Sequence, residues 1–157
     1  DRLQFRGPAD GYSPDPDADS YLFVGDESAL PAIAVCAARV PAGKPVTVVA
    51  EVEDVTGEIP LDSPGALSVH WIHRSGRDDL DDLLADSVAA LPRPHGRVSA
   101  FVHGEAQEVM HGIRPLLLKE RGLERSQVSI SGYWRRGRTE ESFRVWKSEL
   151  AAAEQGA

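Results

Sequence analysis

Tyr21-Leu-Phe-Val-Gly-Asp-Glu-Ser-Ala-Leu-Pro-Ala-Ile33 reads as a buried strand that turns through a glycine directly into a helix. The apolar or aromatic residues from Tyr21 to Val24 suit a strand covered on both faces, and Gly25 allows a sharp turn at its carboxyl end. Ser28 is placed to cap a helix from Ala29 to about Arg39, with Pro31 in the first turn, where a missing N–H costs little. The unpaired amides of such a helix start attract a phosphate or a ring carbonyl. Two readings are open, a nucleotide-binding turn or an ordinary strand-helix unit that binds nothing. The three-glycine dinucleotide fingerprint that would decide between them is absent.

Upstream, residues 7–20 (GPADGYSPDPDADS) are crowded with Gly, Pro, Asp and Ser and read as a loop, with residues 1–6 as the last strand of a preceding piece. Downstream, Pro45 to Val52 (PVTVVAEV) is β-branched and apolar, a second strand followed by an acidic, Pro-containing loop from Glu53 to Pro64. Leu67 to His73 (LSVHWIH) is a third strand, and Asp78 to Leu91 carries apolar residues at 80, 83, 84, 88 and 91, the spacing of a helix. Arg97 to Val102 is a fourth strand. Glu105 to Arg121 is a helix with Val109, Ile113, Leu116 and Leu117 inward, stopped by Gly122. Gln127 to Ser131 is the fifth strand, and a last helix runs from about Glu140 to Ala153.

Strand and helix thus alternate, the pattern of an α/β fold with a three-layer, doubly wound, parallel five-stranded sheet. The link from the second strand to the third is too short for a good helix, so one crossover is expected to be irregular. Ligands in such sheets sit beyond the carboxyl ends of the strands, at the switch point. The residues there are Gly25-Asp-Glu-Ser28, His73-Arg74, His103-Gly-Glu105 and Gly132-Tyr-Trp-Arg135.

At 157 residues the chain fits one domain, which at this size buries roughly 70% of its unfolded surface and needs no staple. Cys36 is the single cysteine, on the apolar side of the first helix, so it makes neither a disulfide framework nor a Cys-based metal site and is expected to pack. No apolar run approaches a membrane span and the N-terminus is charged rather than signal-like, from which a soluble, cytoplasmic chain is expected. A net charge of -8 and a pI near 5.1 argue against a nucleic-acid partner. A start at Asp1 rather than Met is expected of a processed chain, an excised domain or a fragment.

Gly25-Asp-Glu-Ser-Ala-Leu-Pro-Ala-Ile33, Trp71-Ile-His-Arg74, Val102-His-Gly-Glu-Ala106, Glu120-Arg-Gly122 and Gly132-Tyr-Trp-Arg-Arg-Gly137 together resemble the C-terminal half of the siderophore-interacting proteins, the flavin-dependent ferric-siderophore reductases. The resemblance covers nearly the whole chain. It implies a domain similar to the nucleotide-binding domain of ferredoxin–NADP reductases, preceded in the intact protein by a β-barrel that binds FAD. On that reading residues 1–20 are the end of the missing FAD-binding barrel and its linker, with Gly7-Pro8 at the joint, and residues 21–157 are the NAD(P)H-binding domain. The implied activity is hydride transfer from NAD(P)H to FAD, then single-electron transfer to Fe(III) in a siderophore, which weakens chelation and releases Fe(II). The implied partners are a ferric siderophore and the chain's own FAD-binding domain; a membrane siderophore transporter at the inner face of the plasma membrane is a further one. Without the barrel, this chain by itself is expected to be inactive.

The resemblance also implies roles for particular residues. Ser28 corresponds to the hydroxyl residue close to flavin and nicotinamide in reductases of this type and, with Trp134, is the expected catalytic pair. Gly25, Asp26 and Glu27 are expected to border the cofactor, although Asp26 and Glu27 replace glycines of the wider superfamily. Two carboxylates at a helix start are favoured by its dipole but repel a pyrophosphate. They either face a cofactor whose phosphates lie to one side, or merely support the helix end or the barrel interface.

Arg74, followed by Arg77, can hold a phosphate by two hydrogen bonds, and the resemblance places Arg74 at the matching position, so NADPH is expected over NADH. The competing reading is that Asp78, Asp79, Asp81 and Asp82 neutralise both arginines. His103-Gly104-Glu105 repeats the strand-glycine-helix logic where related reductases place a residue near the reacting ring carbon. There Gly104 lets the cofactor approach, and Glu105 is a helix-start residue first and a cofactor contact second.

The rings of Tyr133 and Trp134 either cover the flavin or stack on nicotinamide, or else close the core edge. Arg135 is the expected siderophore contact, whereas Arg136 and Arg138 are expected to pair with Glu140 and Glu141. Trp71 and Trp146 are expected to pack. No metal site is expected from His70, His73, His103 and His111, because strand side chains alternate faces and no close carboxylate pair completes a set.

Three functions stay open on the sequence: the NAD(P)H-binding half of a ferric-siderophore reductase; a non-catalytic siderophore- or nucleotide-binding or regulatory module attached to a siderophore transporter; and a reductase of the same architecture acting on another acceptor.

Overall fold

The computed structural model describes residues 12–134 apart from 79, 81 and 95. Strands β1 (Ser20–Asp26), β2 (Pro45–Val52), β3 (Ala66–His73), β4 (Val98–Glu105) and β5 (Val128–Trp134) form one sheet in the order β3-β2-β1-β4-β5, every pair parallel. Helix α1 (Leu30–Ala38) follows β1, α2 (Leu83–Ala89) precedes β4, and α3 (106–120) links β4 to β5. A short 3-10 turn, Val55–Gly57, lies between β2 and β3 in place of a helix, as the length of that link requires.

Alternation along the strands divides the core into two layers. Tyr21, Phe23, Val46, Val48 and Phe101 pack with Ile33 and Cys36 of α1 on one side. Val24, Val49 and Val102 pack on the other with Leu84 and Val88 of α2 and Val109 and Ile113 of α3. Each such side chain, fully buried, contributes about 1.5–3 kcal/mol, so the central strands anchor the fold. Every residue of β4 is buried, whereas β3, at the edge, alternates between partly buried and exposed along most of its length. Burial pushes the Cys36 thiol up to about 11, which keeps it protonated and inert within the core.

Several local expectations are corrected. Gly25 and Gly104 lie inside β1 and β4, neither with a positive φ; the strands run on through the glycines instead of turning at them. What Gly25 supplies is space: a Cβ there would stand 2.6 Å from Ala29 Cβ and 2.6 Å from the His103 carbonyl oxygen. The cap after β1 is the side chain of Asp26, which accepts from the Ser28 amide and starts a 3-10 turn, Glu27–Ala29, before α1; Ser28 does not cap.

Helix α2 is shorter than its apolar spacing suggested, and residues 78 and 80 lie ahead of it. Helix α3 carries two wide π segments, Glu108–Ile113 and Leu116–Glu120, separated by Arg114 and by Pro115, which has no N–H for the ladder. Gly122, at φ 72°, does mark the end of α3. Residues 1–11 and the last expected helix lie outside the described residues.

Candidate functional site at the β1–β4 switch point

β1 and β4 are neighbours whose crossovers lead outward in opposite directions, so the crevice of a doubly wound sheet opens at their carboxyl ends. Register sets Gly25 beside His103, Asp26 beside Glu51, and Gly104 beside Gly132. A register shift between Gly104 and Glu105 then brings Trp134 opposite Glu105. Residues more than a hundred positions apart in the chain thereby share one carboxylate.

That carboxylate is Asp26, only 3% exposed. Its Oδ1 accepts from the Ser28 amide at 2.9 Å and from the Ser28 hydroxyl at 2.5 Å, and its Oδ2 accepts from the Trp134 indole N–H at 2.7 Å. The hydroxyl proton of Ser28 is committed to Asp26, so Ser28 Oγ meets a ligand as an acceptor. The absence of a side chain at Gly104 leaves room for the bridge, since a Cβ there would stand 3.3 Å from Asp26 Oδ2, tighter than an ordinary contact. Trp134 itself is half-buried.

A second polar cluster lies at the ends of β1, β2 and β3. Arg74 donates through Nη1 and Nη2 to Glu27 at 2.8 and 2.5 Å, and also reaches Glu51 at 3.2 Å and Glu53 at 3.5 Å. Glu27 Oε2 accepts in addition from the Glu53 amide at 3.0 Å. Partial burial would raise the Glu27 carboxyl pKa, but the Arg74 hydrogen bond and the backbone donors outweigh it and hold the group below its ordinary value. The same bond to Glu27 raises the pKa of Arg74, against the desolvation that would lower it. Among the described residues the carboxylates on Arg74 are thus Glu27, Glu51 and Glu53; Asp79 and Asp81 lie outside them. Arg77 sits on an exposed turn that bends back through its amide to the Arg74 carbonyl, with Gly76 at φ 80°.

The other expected residues distribute as follows. His103 is buried, stacked on Phe101 with ring centroids 3.8 Å apart, and its Nε2 lies 3.0 Å from Ser129 Oγ. Its ring thus forms part of the wall on the α1 side. Glu105, also buried, accepts through Oε1 from the Glu108 amide at 2.8 Å, the helix-start role its sequence position suggested. Tyr133 contributes its backbone to β5, and Arg135 lies outside the described residues. Trp71 packs against the core on the α1 side, and His73 Nε2 lies 2.6 Å from Glu58.

Glu108 escaped the sequence reading. It is buried, and its Oε2 accepts from the amides of Leu84 at 2.6 Å and Ala85 at 3.2 Å, so α3 supplies the cap that α2 lacks. No signal local to either helix announces a bond spanning 24 residues.

A cavity of about 790 Å³ opens at the opposite, amino-terminal end of the sheet, with Ser20, Thr47, His70 and Arg121 in its lining. Arg121 there is spent on the carbonyls of Ala89 and Leu91 after α2, and the ends of the strands that bind ligands in this fold lie elsewhere. Among the described residues no group of three or more His, Cys, Asp and Glu could hold a metal ion, and no helix is long and apolar enough to cross a membrane.

The model of the siderophore-interacting protein family matches residues 18–137. The chain is similar to the uncharacterized protein Rv2895c of Mycobacterium tuberculosis, 48% identical over 98% of this chain and 58% of that protein. It is similar also to ferric vibriobactin reductase ViuB of Vibrio cholerae, 32% identical over 83% of this chain and 49% of the relative. Among solved structures, a siderophore utilization protein from T. fusca superposes with a TM-score of 0.71 at 40% identity, covering 82% of this chain and 48% of that one. The siderophore-interacting protein SipS of Aeromonas hydrophila gives 0.75 at 25% identity over 88% and 54%. The chain therefore spans about half the length of the relatives it matches. Its all-parallel sheet and the match over most of its length place it as a member of the siderophore-interacting protein family.

Proposed function

We propose that this chain is the NAD(P)H-binding half of a flavin-dependent ferric-siderophore reductase, with residues 21–157 as the nicotinamide-cofactor domain and residues 1–20 as the approach from an FAD-binding barrel. The observation that supports this most directly is the Asp26–Trp134 hydrogen bond across the switch point. It holds an indole on the same carboxylate that orients the Ser28 hydroxyl, where this fold places its ligands.

These residues suit the uncharged ring end of a dinucleotide. A pyrophosphate suits them less well, because the Ser28 amide is already bonded to Asp26 and the carboxylates of Asp26 and Glu27 repel phosphate. When bound, the dinucleotide supplies a hydride to the flavin of the other half, whose two electrons pass singly to Fe(III) of a siderophore and yield Fe(II). The chain's own part is positioning. Asp26 fixes Ser28 as an acceptor and anchors Trp134, Gly25 lets Ala29 and the His103 carbonyl close on β1, Gly104 leaves room beside the Asp26 carboxylate, and Glu105 secures the start of α3. Arg135, the residue after Trp134 in the sequence, is assigned to the ferric siderophore on the resemblance alone. Similarity to a ferric vibriobactin reductase supports the class of acceptor, and the half-length span supports a flavin bound mainly by the other half.

The test joins this chain to a family flavin-binding half. Mixed anaerobically with NADH or NADPH, the assembled protein is expected to lose its oxidised-flavin absorbance and then, given a ferric siderophore, to deliver iron to an Fe(II)-specific chelator. A flavin spectrum unchanged by either dinucleotide would overturn the proposal and leave the non-catalytic module as the better reading.

A further inference from the structure

We infer that the Glu27–Arg74 clamp makes this domain select NADH over NADPH, with a neutral ribose hydroxyl and not a 2′-phosphate accommodated at the ends of β2 and β3. The inference rests on the dinucleotide reading above and reverses the preference that Arg74, taken alone in the sequence, suggests.

A guanidinium recognises a phosphate through its paired N–H groups. In Arg74 both terminal nitrogens already hold the two oxygens of Glu27, and Glu27 is held a second time by the amide of Glu53. Glu51 and Glu53 approach the same guanidinium, so three carboxylates converge on one cation. A 2′-phosphate seated on Arg74 would have to displace Glu27, deprive the Glu53 amide of its acceptor, and stand among three like charges. Juxtaposed like charges are a strong means of rejecting a partner. A 2′-hydroxyl meets none of these obstacles, because it is neutral and donates to a carboxylate; acidic residues recognise the ribose of NAD in related dinucleotide folds in this way.

The register explains why the clamp is built in. Asp26 pairs with Glu51 and Val52 with His73, so the next residues, Glu27, Glu53 and Arg74, emerge side by side at one end of the sheet.

Calorimetric titration of the 157-residue chain with NADH and with NADPH tests the inference. NADH is expected to bind tighter by on the order of tenfold. Glu27→Gln, which removes the competing charge, is expected to strengthen NADPH binding by on the order of tenfold with no gain for NADH, and the double variant Glu27→Gln with Arg74→Gln should lose that gain. Unmutated chain that binds NADPH as tightly as NADH or more tightly overturns the inference, as does a folded Glu27→Gln variant with no gain for NADPH. Failure of both dinucleotides to bind is a different result, which removes the dinucleotide reading itself.

Discussion

Asp26 is a single buried carboxylate with three donors, and each of them belongs to a residue of the candidate site or to its backbone. Its local device occurs twice. Asp26-Glu-Ser28 and Asp54-Val-Thr56 both place an aspartate two residues before a hydroxyl residue, and in both the carboxylate takes the backbone N–H and the hydroxyl together. This Asx-type turn is legible in the sequence as Asp-x-Ser/Thr after an apolar strand, and it competes successfully with the Ser28 cap. Its extension to Trp134 is not legible, because that contact depends on the β4–β5 register and its irregularity. The neighbouring Gly25 yields a residue-scale prediction. Gly25→Ala would bring a Cβ into contact with backbone and with a rigid Ala29, neither of which can swing aside. It is expected to lower stability by about 1–3 kcal/mol in urea unfolding. A variant as stable as the parent would show that the packing between β1, Ala29 and the His103 carbonyl can give way.

At the scale of elements, the strands and their order follow from apolar runs and alternation, whereas their ends do not. β2 occupies just the residues of its β-branched run, bounded by Pro45 and an acidic loop. β1, β4 and β5 run two or three residues further than composition suggests, because a strand that continues through glycine looks like a turn when its partners are unknown. The same extension turns the switch-point residues into strand residues and carries their side chains to fixed faces. Helix α2 shows the reverse error. Its N-cap residue, Asp82, makes no side-chain cap, and its first amides are satisfied from α3 by Glu108. Glu108→Ala is therefore expected to cost about 1–3 kcal/mol, since it leaves amides at a buried helix start without an acceptor. Amide hydrogen exchange at Leu84 and Ala85 should accelerate while β1 stays protected; unchanged protection at both amides would refute the capping role.

At the scale of the whole molecule, two side-chain clusters share one end of the sheet. The carboxyl ends of β1, β4 and β5 bring together Asp26, Ser28, Gly104 and Trp134, and those of β2 and β3 add the Arg74 cluster, in a chain that spans about half the length of its relatives. The family was legible because its short segments cluster at strand ends, where the fold places ligands. Which carboxylates would surround Arg74 was not legible, because Glu27 lies 47 residues away and meets it only through the sheet register. The central claim is that Trp134 works at the junction between the two halves, held there by Asp26. Its most direct test is Trp134→Ala in the protein joined to its flavin-binding half, with thermal melting and stopped-flow flavin reduction measured on the same sample. The account predicts a loss of about 1–2 kcal/mol in stability, the cost of one hydrogen bond and a half-buried ring, and a fall in the rate of flavin reduction of on the order of tenfold or more. A loss of about 3–5 kcal/mol, as for a core tryptophan, with the folded fraction still reducing flavin at the parent rate would contradict it.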